Sequence, residues 1–246
     1  MKRVIVSIDG AGKIYHLRGL GRKMSVAALS DFTLDIFEGE ILGLLGLNGA
    51  GKTTVMKLLT GLIFPTSGKV SVFGLDPREP RAKNSIGFLP ELPYFPPHNT
   101  PYGALRYYGL LSGMSGSAIA AALPVVMEKV GLAPHAAKKI SEFSKGMLQR
   151  LGLAQAVLHS PELLVLDEPV SGLDPLAIHD MRALISGMQA EGKTIFLSSH
   201  SISELEKICD RVIIMAGGHK TLSVERKNWE TAPGALESLF VEAVRR

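Results

Sequence analysis

The hydrophobic residues of the chain are grouped in short continuous runs, with stretches of helical periodicity between them. Four runs lack the alternation of a half-exposed strand, which indicates strands covered on both faces, as in a parallel sheet. These runs are residues 40–45, 162–167, 193–198 and 211–215. Residues 52–62 and 175–190 have the spacing of helices, so the sequence predicts an α/β domain with crossover helices.

The N-terminal third of the chain has a different pattern. Residues 4–8, 32–37 and 69–73 are short apolar segments that lie between turn signals. They predict a small antiparallel sheet. Nearer the C-terminus, residues 215–222 contain two adjacent glycines and predict a hairpin turn.

Prolines mark the middle of the chain. Four of the eight residues 90–97 are proline, which predicts an extended loop. Residues 101–132 follow, rich in Ala, Leu and Tyr, and predict helices. We therefore expect residues 92–142 to form a helical insertion within the α/β domain. The last twenty residues are charged, and residues 235–244 have a helical pattern.

Composition limits the class of protein. With 46% hydrophobic and 20% charged residues, the 246-residue chain has the composition of a globular protein, which excludes disorder, collagen and a coiled coil. Because Cys209 is the single cysteine, an intrachain disulfide is excluded. The net charge of +4 is too small for this length to indicate an anionic partner by itself.

Targeting signals are not predicted. The N-terminal nine residues include two basic ones, but Ser7 and Asp9 interrupt the apolar stretch that a signal peptide needs. The longest apolar runs are far shorter than the ~20 residues that span a bilayer. We therefore expect a protein of the reducing cytoplasm.

Residues 46–54, Gly-Leu-Asn-Gly-Ala-Gly-Lys-Thr-Thr, match the phosphate-loop pattern G-x-x-x-x-G-K-[ST]. They follow a predicted strand and precede a predicted helix, as that motif requires. The glycines allow backbone N–H groups to converge on a polyphosphate, and the helix N-terminus adds its dipole. Lys52 is predicted to reach the β- and γ-phosphates and Thr53 to bind Mg²⁺. The alternative is a glycine-rich turn without a ligand.

Asp167 and Glu168 end another buried apolar strand. A carboxylate buried there without a partner would be costly, so a structural role suits Asp167 poorly. Beside Mg²⁺ and a phosphate loop it is a candidate metal ligand. Glu168, one residue further, is a candidate to polarise a water molecule in line with the γ-phosphate. An ordinary acidic strand end is the alternative.

Residues 143–147, Phe-Ser-Lys-Gly-Met, begin a predicted helix, and we call them the signature segment. Ser144 suits the N-cap position of that helix. A helix N-terminus with a serine hydroxyl and a glycine N–H is a second phosphate-binding device. Standing alone, such a segment would more often be a structural cap.

In this order, the motifs resemble those of the ATPase subunits of ABC transporters. The phosphate loop, the signature segment, the Asp-Glu pair, Ser-Gly-Leu-Asp-Pro at residues 171–175 and Ser-His at residues 199–200 follow the family's order, and the resemblance covers about residues 1–222. It implies an α/β P-loop NTPase with a mostly parallel central sheet, a small N-terminal antiparallel β-subdomain and an inserted α-helical subdomain.

The resemblance also implies the boundaries of one ABC ATPase domain over residues 1–246. Residues 1–91 and 143–222 would form the nucleotide-binding core. Residues 92–142 would form the helical subdomain, and residues 223–246 a C-terminal helical tail.

ATP and Mg²⁺ are the ligands that the resemblance implies. Glu168 and His200 would be catalytic, with His200 sensing the γ-phosphate, and Thr53 and Asp167 would hold Mg²⁺. Tyr15 would stack on adenine, although an ordinary surface or core aromatic is the alternative. The predicted ATP-binding residues are Tyr15, Gly46, Asn48, Gly49, Ala50, Gly51, Lys52, Thr53 and Thr54.

The signature segment implies a partner. In the family, Ser144, Gly146 and Met147 would face ATP bound to a second ABC ATPase subunit, and Asp174 would be a D-loop residue between the two sites. The chain has one phosphate loop and one signature segment, so the resemblance implies a head-to-tail pair that encloses two ATP molecules. A homodimer is expected, and a paralogue as the second subunit is the alternative.

Two motifs depart from the family pattern. The signature usually reads Leu-Ser-Gly-Gly-Gln, whereas Lys145 and Met147 replace a glycine and the glutamine here. The glutamine of the family's Q-loop aligns with Glu91, whose carboxylate would also suit Mg²⁺. This signature variant resembles the ABC-2 type exporter branch.

The resemblance further implies a separate integral membrane permease, with the chain peripheral on the cytoplasmic face of the membrane and export as the direction of transport. The permease contact would lie at the helical subdomain and around residues 91–97. No nucleic acid is expected as a partner, because no dense basic patch is present. Two alternatives remain: a soluble ABC-type ATPase not coupled to transport, and a nucleotide-binding regulator that hydrolyses weakly.

Overall fold

A computed structural model describes residues 3–19, 22–232 and 234–245. The chain divides into two compact units. Asn84–Lys193 form the second unit, and the described residues on either side of that segment form the first.

The strands, in chain order, are β1 (Val4–Gly19), β2 (Arg22–Phe37), β3 (Ile41–Gly46), β4 (Ser67–Val72), β5 (Ile86–Leu89), β6 (Leu163–Leu166), β7 (Thr194–Ser199), β8 (Arg211–Ala216) and β9 (His219–Glu225). The α-helices are α1 (Lys52–Leu59), α2 (Pro80–Asn84), α3 (Pro101–Leu111), α4 (Gly116–Lys129), α5 (Lys145–Val157), α6 (Pro175–Ala190), α7 (Ile202–Ile208) and α8 (Ala235–Arg245). Short 3₁₀ helices lie at Ala133–His135, Ile140–Glu142 and Arg226–Asn228.

The first unit contains two kinds of sheet. Strands β2-β1-β4 form an antiparallel sheet, and β7-β3-β8-β9 are consecutive neighbours in a mixed one. Strand β3 is parallel to both β7 and β8, whereas β9 runs antiparallel to β8. All residues of β3 and β7 are buried, which accounts for their unbroken apolar runs. The predicted parallel sheet, antiparallel sheet and hairpin are confirmed here.

A partly buried ion pair holds the start of β3 in the first unit. Glu40 is only 3% exposed, and its carboxylate accepts hydrogen bonds from Arg211 Nη2 at 2.6 Å and from the Phe37 amide at 2.8 Å. Arg211 Nη2 also donates to the Asp35 carbonyl at 2.6 Å. Residues at the ends of β2 and β3 are thereby tied to the first residue of β8.

The second unit pairs β5 with β6 in parallel and adds helices α3 to α6. Phe95, in the proline-rich loop, is buried and its ring packs edge-on against Tyr108 of α3 at 5.7 Å between centroids. Its neighbour Tyr94 is 78% exposed. The two aromatic residues therefore differ: Phe95 packs locally, and Tyr94 is on the surface.

Helix α5 is held to its neighbours by Arg150. Arg150 Nη2 donates to Asp180 Oδ2 of α6 at 2.6 Å, and Nη1 donates to the Val130 carbonyl at the end of α4 at 3.3 Å. Hydrogen bonds from His179 and from Arg150 hold the pKa of the Asp180 carboxyl below its usual range. The ion pair therefore persists at neutral pH.

Two further features complete the fold. Within the described residues, no helix is long and apolar enough to cross a membrane. Cys209 is a free, buried thiol, and burial raises its pKa well above the usual range. The thiol is consequently unreactive at neutral pH.

Gly87 of β5 should be intolerant of any side chain. An ideal Cβ there would overlap the Ala156 carbonyl oxygen of α5, and a backbone atom cannot move aside as a flexible side chain does. We expect Gly87→Ala to lower the free energy of unfolding by about 1–3 kcal/mol. Urea unfolding monitored by circular dichroism measures this change.

Gly187→Ala is the matched control for that substitution. Gly187 lies inside α6, and apart from its chain neighbours and the adjacent turns of its own helix, no described residue has an atom within 4 Å of an ideal Cβ there. Alanine in a helix interior should raise stability by about 0.5–1 kcal/mol. Equal effects of the two substitutions would contradict the tight packing of β5 on α5.

Candidate nucleotide-binding site

The phosphate loop connects β3 to α1 in the first unit. Gly49 and Gly51 have φ angles of 82° and 106°, a region that favours glycine. Gly51 is the N-cap of α1 and supplies no side-chain cap to the first amides. Gly46 ends β3 so close to β8 that an ideal Cβ would lie 2.7 Å from the Met215 carbonyl oxygen. The loop is therefore a backbone cradle in which these glycines are required.

Lys52 is the first residue of α1 and is 6% exposed. Its Nζ donates to the Gly46 carbonyl at 2.7 Å and lies 3.4 Å from the Leu47 carbonyl, so the ammonium is folded back across the loop. A cation at a helix N-terminus opposes the helix dipole, and no acidic residue lies in the first turn of α1. This concentration of positive charge suits a bound anion.

The other loop residues divide into buried and exposed ones. Ala50 is buried, and its carbonyl accepts from the Gly218 amide at 3.0 Å, which fixes the loop against the β8–β9 turn. Asn48 and Thr53 are exposed, and Thr54 is half-buried. The hydroxyl of Thr53, in the first turn of α1, is thus accessible to a ligand at the loop.

His200 lies at the same edge of the sheet as the phosphate loop. Leu45 of β3 is paired with Ser199 of β7, so Gly46 and His200 directly follow adjacent positions. The Ser201 amide donates to Ser199 Oγ at 2.9 Å, which closes a turn around the exposed His200. The structure therefore brings together two predicted parts of the site that are about 150 residues apart in sequence.

Tyr15 is a half-buried residue of β1, in the antiparallel sheet of the same unit. The Lys13 ammonium lies 5.3 Å from its ring centroid, a cation–π contact. One face of the ring is therefore already in contact with a cation.

Asp167 and Glu168 follow β6 in the second unit and are 3% and 7% exposed. The Asp167 amide donates to the Leu89 carbonyl of β5 at 2.8 Å. Glu168 has a φ angle of 48°, in the left-handed region that a non-glycine residue rarely adopts. Such backbone strain is concentrated at functional sites, and it supports a chemical role for this carboxylate.

Glu91 is brought to the same edge as Asp167. It lies two residues beyond Leu89, the last residue of β5, and its side chain is exposed. Its carbonyl oxygen accepts from Gln149 Nε2 of α5 at 2.7 Å. Gln149 was not among the residues predicted from the sequence, although a glutamine within the apolar periodicity of a helix was the available signal.

The signature segment begins α5 as expected. Ser144 is the N-cap, and its Oγ accepts from the Met147 amide at 3.3 Å. Asp174 caps α6 in the same way, with Oδ1 accepting from the Ala177 amide at 2.9 Å. An ideal Cβ on Gly146 would lie 3.5 Å from the Ala177 Cβ. The first turns of α5 and α6 are therefore in direct contact, and the structure brings the signature and D-loop residues together.

Lys145 contacts the segment that precedes α6. The Lys145 ammonium lies where a Cβ on Gly172 would stand, and the φ angle of Gly172 is 64°, in the left-handed region that favours glycine. The lysine that replaces a family glycine is therefore accommodated within the second unit.

The first unit also has a cavity of about 650 Å³ beside β4, lined by residues such as Phe64, Lys69 and Arg78. None of the predicted nucleotide-site residues lines it. It is separate from the phosphate loop.

Comparison with known proteins defines the class of ATPase. The ABC transporter family profile matches residues 29–171. An uncharacterized ABC transporter ATP-binding protein of Nostoc sp. is 41% identical over 89% of this chain and 66% of its own length. The chain belongs to the ABC transporter ATP-binding family.

Relatives with more specific names belong to export or transport systems. The bacitracin transport ATP-binding protein BcrA of Enterococcus faecalis is 42% identical over 78% of this chain and 62% of its own length. The Nod factor export ATP-binding protein I of Rhizobium sp. is 37% identical over 89% of this chain and 70% of its own length. The chain thus spans about two thirds of the length of these relatives.

Solved structures agree with this fold. An ATP-binding subunit of an ABC transporter superposes with a TM-score of 0.81 at 28% identity, covering 97% of this chain and 99% of that one. The ATP-binding cassette MJ0796, in a dimeric post-hydrolysis state bound to ADP and Pi, superposes with a TM-score of 0.79 at 23% identity, covering 90% of this chain and 98% of that one. The predicted α/β P-loop NTPase fold and the family resemblance are confirmed.

Proposed function

We propose that the protein is the ATP-hydrolysing subunit of an ABC exporter, which pairs with a second copy on ATP and drives a separate membrane permease. The observation that carries the proposal is the presence of two helix N-termini suited to phosphate in one chain. One is the phosphate loop at α1, and the other is the signature segment at α5.

ATP binding is assigned to the phosphate loop and its surroundings. The backbone amides at Gly49 to Thr53 and the Lys52 ammonium bind the β- and γ-phosphates. Tyr15 provides an aromatic surface for adenine, on the face opposite Lys13. His200, at the same edge of the sheet, senses the γ-phosphate.

Mg²⁺ fits the oxygen donors that the chain offers. A threonine hydroxyl and a carboxylate, Thr53 and Asp167, are the hard oxygen ligands that Mg²⁺ prefers in company with substrate phosphates. When bound, the ion neutralises charge on the β- and γ-phosphate oxygens. Glu91, in place of the family glutamine, contributes a further carboxylate near Asp167.

Hydrolysis is assigned to Glu168. Its carboxylate orients a water molecule and accepts a proton from it as the water oxygen attacks the γ-phosphorus. The bond from that phosphorus to the bridging oxygen breaks, and ADP leaves with this oxygen. Glu168 directly follows β6 with a left-handed backbone and is 7% exposed.

Pairing places the signature segment of one copy against ATP held by the other. Ser144 and Gly146 bind the partner-held γ-phosphate, with Met147 beside them and Asp174 between the two sites. This arrangement is isologous, as in a two-fold homodimer. Closure on ATP and opening after hydrolysis would then bias a two-state permease.

The permease contact is assigned to the second unit. Residues 92–142 act as the helical subdomain in this proposal, with residues 1–91 and 143–222 as the nucleotide-binding core and residues 223–246 as a tail. Apolar side chains are exposed along the proline-rich loop and α3. They are Leu92, Tyr94, Tyr107, Leu110 and Leu111. The name of the Nod factor export relative supports export as the direction.

Ser144→Arg should abolish ATP-dependent pairing and leave ATP binding to the monomer unchanged within about twofold. The reason is that a guanidinium and its bulk would occupy the position of the partner-held γ-phosphate. Analytical ultracentrifugation with ATP measures pairing, and calorimetry measures nucleotide affinity.

Ser117→Arg is the control, since Ser117 is another exposed serine in the first turn of a helix, α4. The control should pair normally. Unimpaired pairing of Ser144→Arg would refute the sandwich arrangement of ATP.

A further inference from the structure

Gln149 is a buried polar residue in the middle of α5. It is 1% exposed and lies in a helix whose neighbouring positions Leu151, Gly152 and Leu153 are buried as well. Burying an amide is costly unless its polar atoms are hydrogen-bonded. A leucine or methionine would fill the same volume without that cost, so packing alone does not account for a glutamine at position 149.

The amide nitrogen of Gln149 joins α5 to the chain that follows β5. Nε2 donates to the Glu91 carbonyl oxygen at 2.7 Å, and because a carbonyl oxygen only accepts, the facing atom must be the nitrogen. This bond links two segments that are 58 residues apart in sequence.

Packing reinforces the same contact. Gly152 follows Gln149 by one helical turn, and an ideal Cβ there would lie 2.5 Å from Leu89 Cδ1 and 3.0 Å from Pro93 Cβ. The face of α5 that carries Gln149 therefore rests directly on residues 89–93. A displacement of residues 89–93 must be followed by α5 or must break the hydrogen bond.

The amide oxygen of Gln149 has no hydrogen-bond partner among the described residues, although it is buried. An unpaired buried acceptor is unfavourable. Within the described residues, the Gln149 side chain is therefore bonded only through its nitrogen, to Glu91.

We propose that Gln149 is a positioning residue that transmits the position of residues 89–93 to the first turn of α5, where Ser144 and Gly146 lie. This inference rests on the proposed function, because it concerns ATP-dependent pairing through the signature segment. Arg150 ties α5 to α4 and α6, so Gln149 is the polar link in the other direction, toward Glu91. Gln149 itself contacts neither ATP nor the partner.

The test compares Gln149→Leu with Gln155→Leu, both in a Glu168→Gln background. Gln155 is on the same helix and half-buried, so it controls for the loss of one glutamine from α5. We expect Gln149→Leu to raise the ATP concentration for half-maximal pairing by about tenfold, with unchanged ATP affinity of the monomer. Gln155→Leu should pair as the background protein does. Gln149→Met, with an unbranched side chain, repeats the test with different packing.

Hydrogen exchange distinguishes the proposed role of Gln149 from a purely structural one, because a purely structural role would not change which segments gain protection together. On ATP-driven pairing, the amides of residues 91–95 and of residues 144–147 should gain protection together in the background protein. In Gln149→Leu, at an ATP concentration that just saturates pairing of the background protein, residues 91–95 should gain protection without residues 144–147.

The possible failures are distinguishable. Pairing of Gln149→Leu and Gln149→Met at the same ATP concentration as Gln155→Leu overturns the role of Gln149 alone. Simultaneous protection of residues 91–95 and 144–147 in Gln149→Leu also overturns the role of Gln149. Absence of ATP-dependent pairing in the background protein itself overturns the proposed function, and this inference with it.

Discussion

Lys52→Ala should weaken ATP binding by at least about 100-fold, because a charge-assisted hydrogen bond contributes about 1.5–3 kcal/mol and the ammonium is expected to make more than one to the phosphates. Lys52 Nζ is positioned across the phosphate loop by the carbonyls of Gly46 and Leu47. Alanine removes the charge and the hydrogen bond to the Gly46 carbonyl. Isothermal titration calorimetry with ATP and Mg²⁺ measures the loss directly.

Lys57→Ala is the control for that experiment. Lys57 is an exposed basic residue in the last turn of the same helix, α1, and its substitution should leave ATP affinity unchanged. A melting curve of Lys52→Ala establishes that the protein is folded. Tight ATP binding by folded Lys52→Ala would refute the assignment of the phosphate loop.

Glu168→Gln should reduce steady-state ATP turnover by about 10²–10⁴-fold, the range for loss of a general base. ATP affinity should be retained, since glutamine has the same shape and the left-handed backbone at Glu168 is unchanged. Release of phosphate from ATP, measured under conditions of saturating nucleotide, gives the turnover number.

Glu162→Gln provides the matched substitution at the opposite end of β6. Glu162 is exposed and immediately precedes that strand, so its substitution should leave turnover unchanged. Near-native turnover by Glu168→Gln would contradict the role of Glu168 as general base. Negligible turnover by the wild-type protein would favour the alternative of a weakly hydrolysing regulator.

The core of the fold was predictable because its strands are buried on both faces. The run at residues 40–45 became β3 at Ile41–Gly46, and the helical pattern at residues 175–190 became α6 over the same residues. The phosphate loop between β3 and α1 was predictable because its glycines and lysine have fixed spacing. In such segments, local pattern and tertiary environment agree.

Other strands left weaker signals. Strands β1 and β2 are 16 residues each rather than the short segments predicted, since bulges near Ala11 and Lys13 interrupt the alternation of β1. Strand β5 has only four residues, one of them Gly87, and proline follows it. Strand β9 is mostly exposed, with residues such as Lys220 and Thr221 facing solvent. A short or polar strand is specified by its neighbours, which no local pattern reveals.

The residues of the candidate site also differ in how far the sequence predicted them. The motifs predicted which residue types lie at the ends of β3, β6 and β7, but the left-handed backbone of Glu168 and the pairing of Leu45 with Ser199 come from tertiary structure. The bond from Gln149 to Glu91 links residues far apart in sequence, so no local pattern predicts it.

The central claim is that ATP pairs two copies of this chain through the phosphate loop of one and the signature segment of the other. Sedimentation velocity of Glu168→Gln with ATP and Mg²⁺, compared with ADP and Mg²⁺, tests it most directly. We predict a dimer that retains two ATP molecules with ATP, and a monomer with ADP. A protein that binds ATP yet remains monomeric at every ATP concentration would contradict the claim.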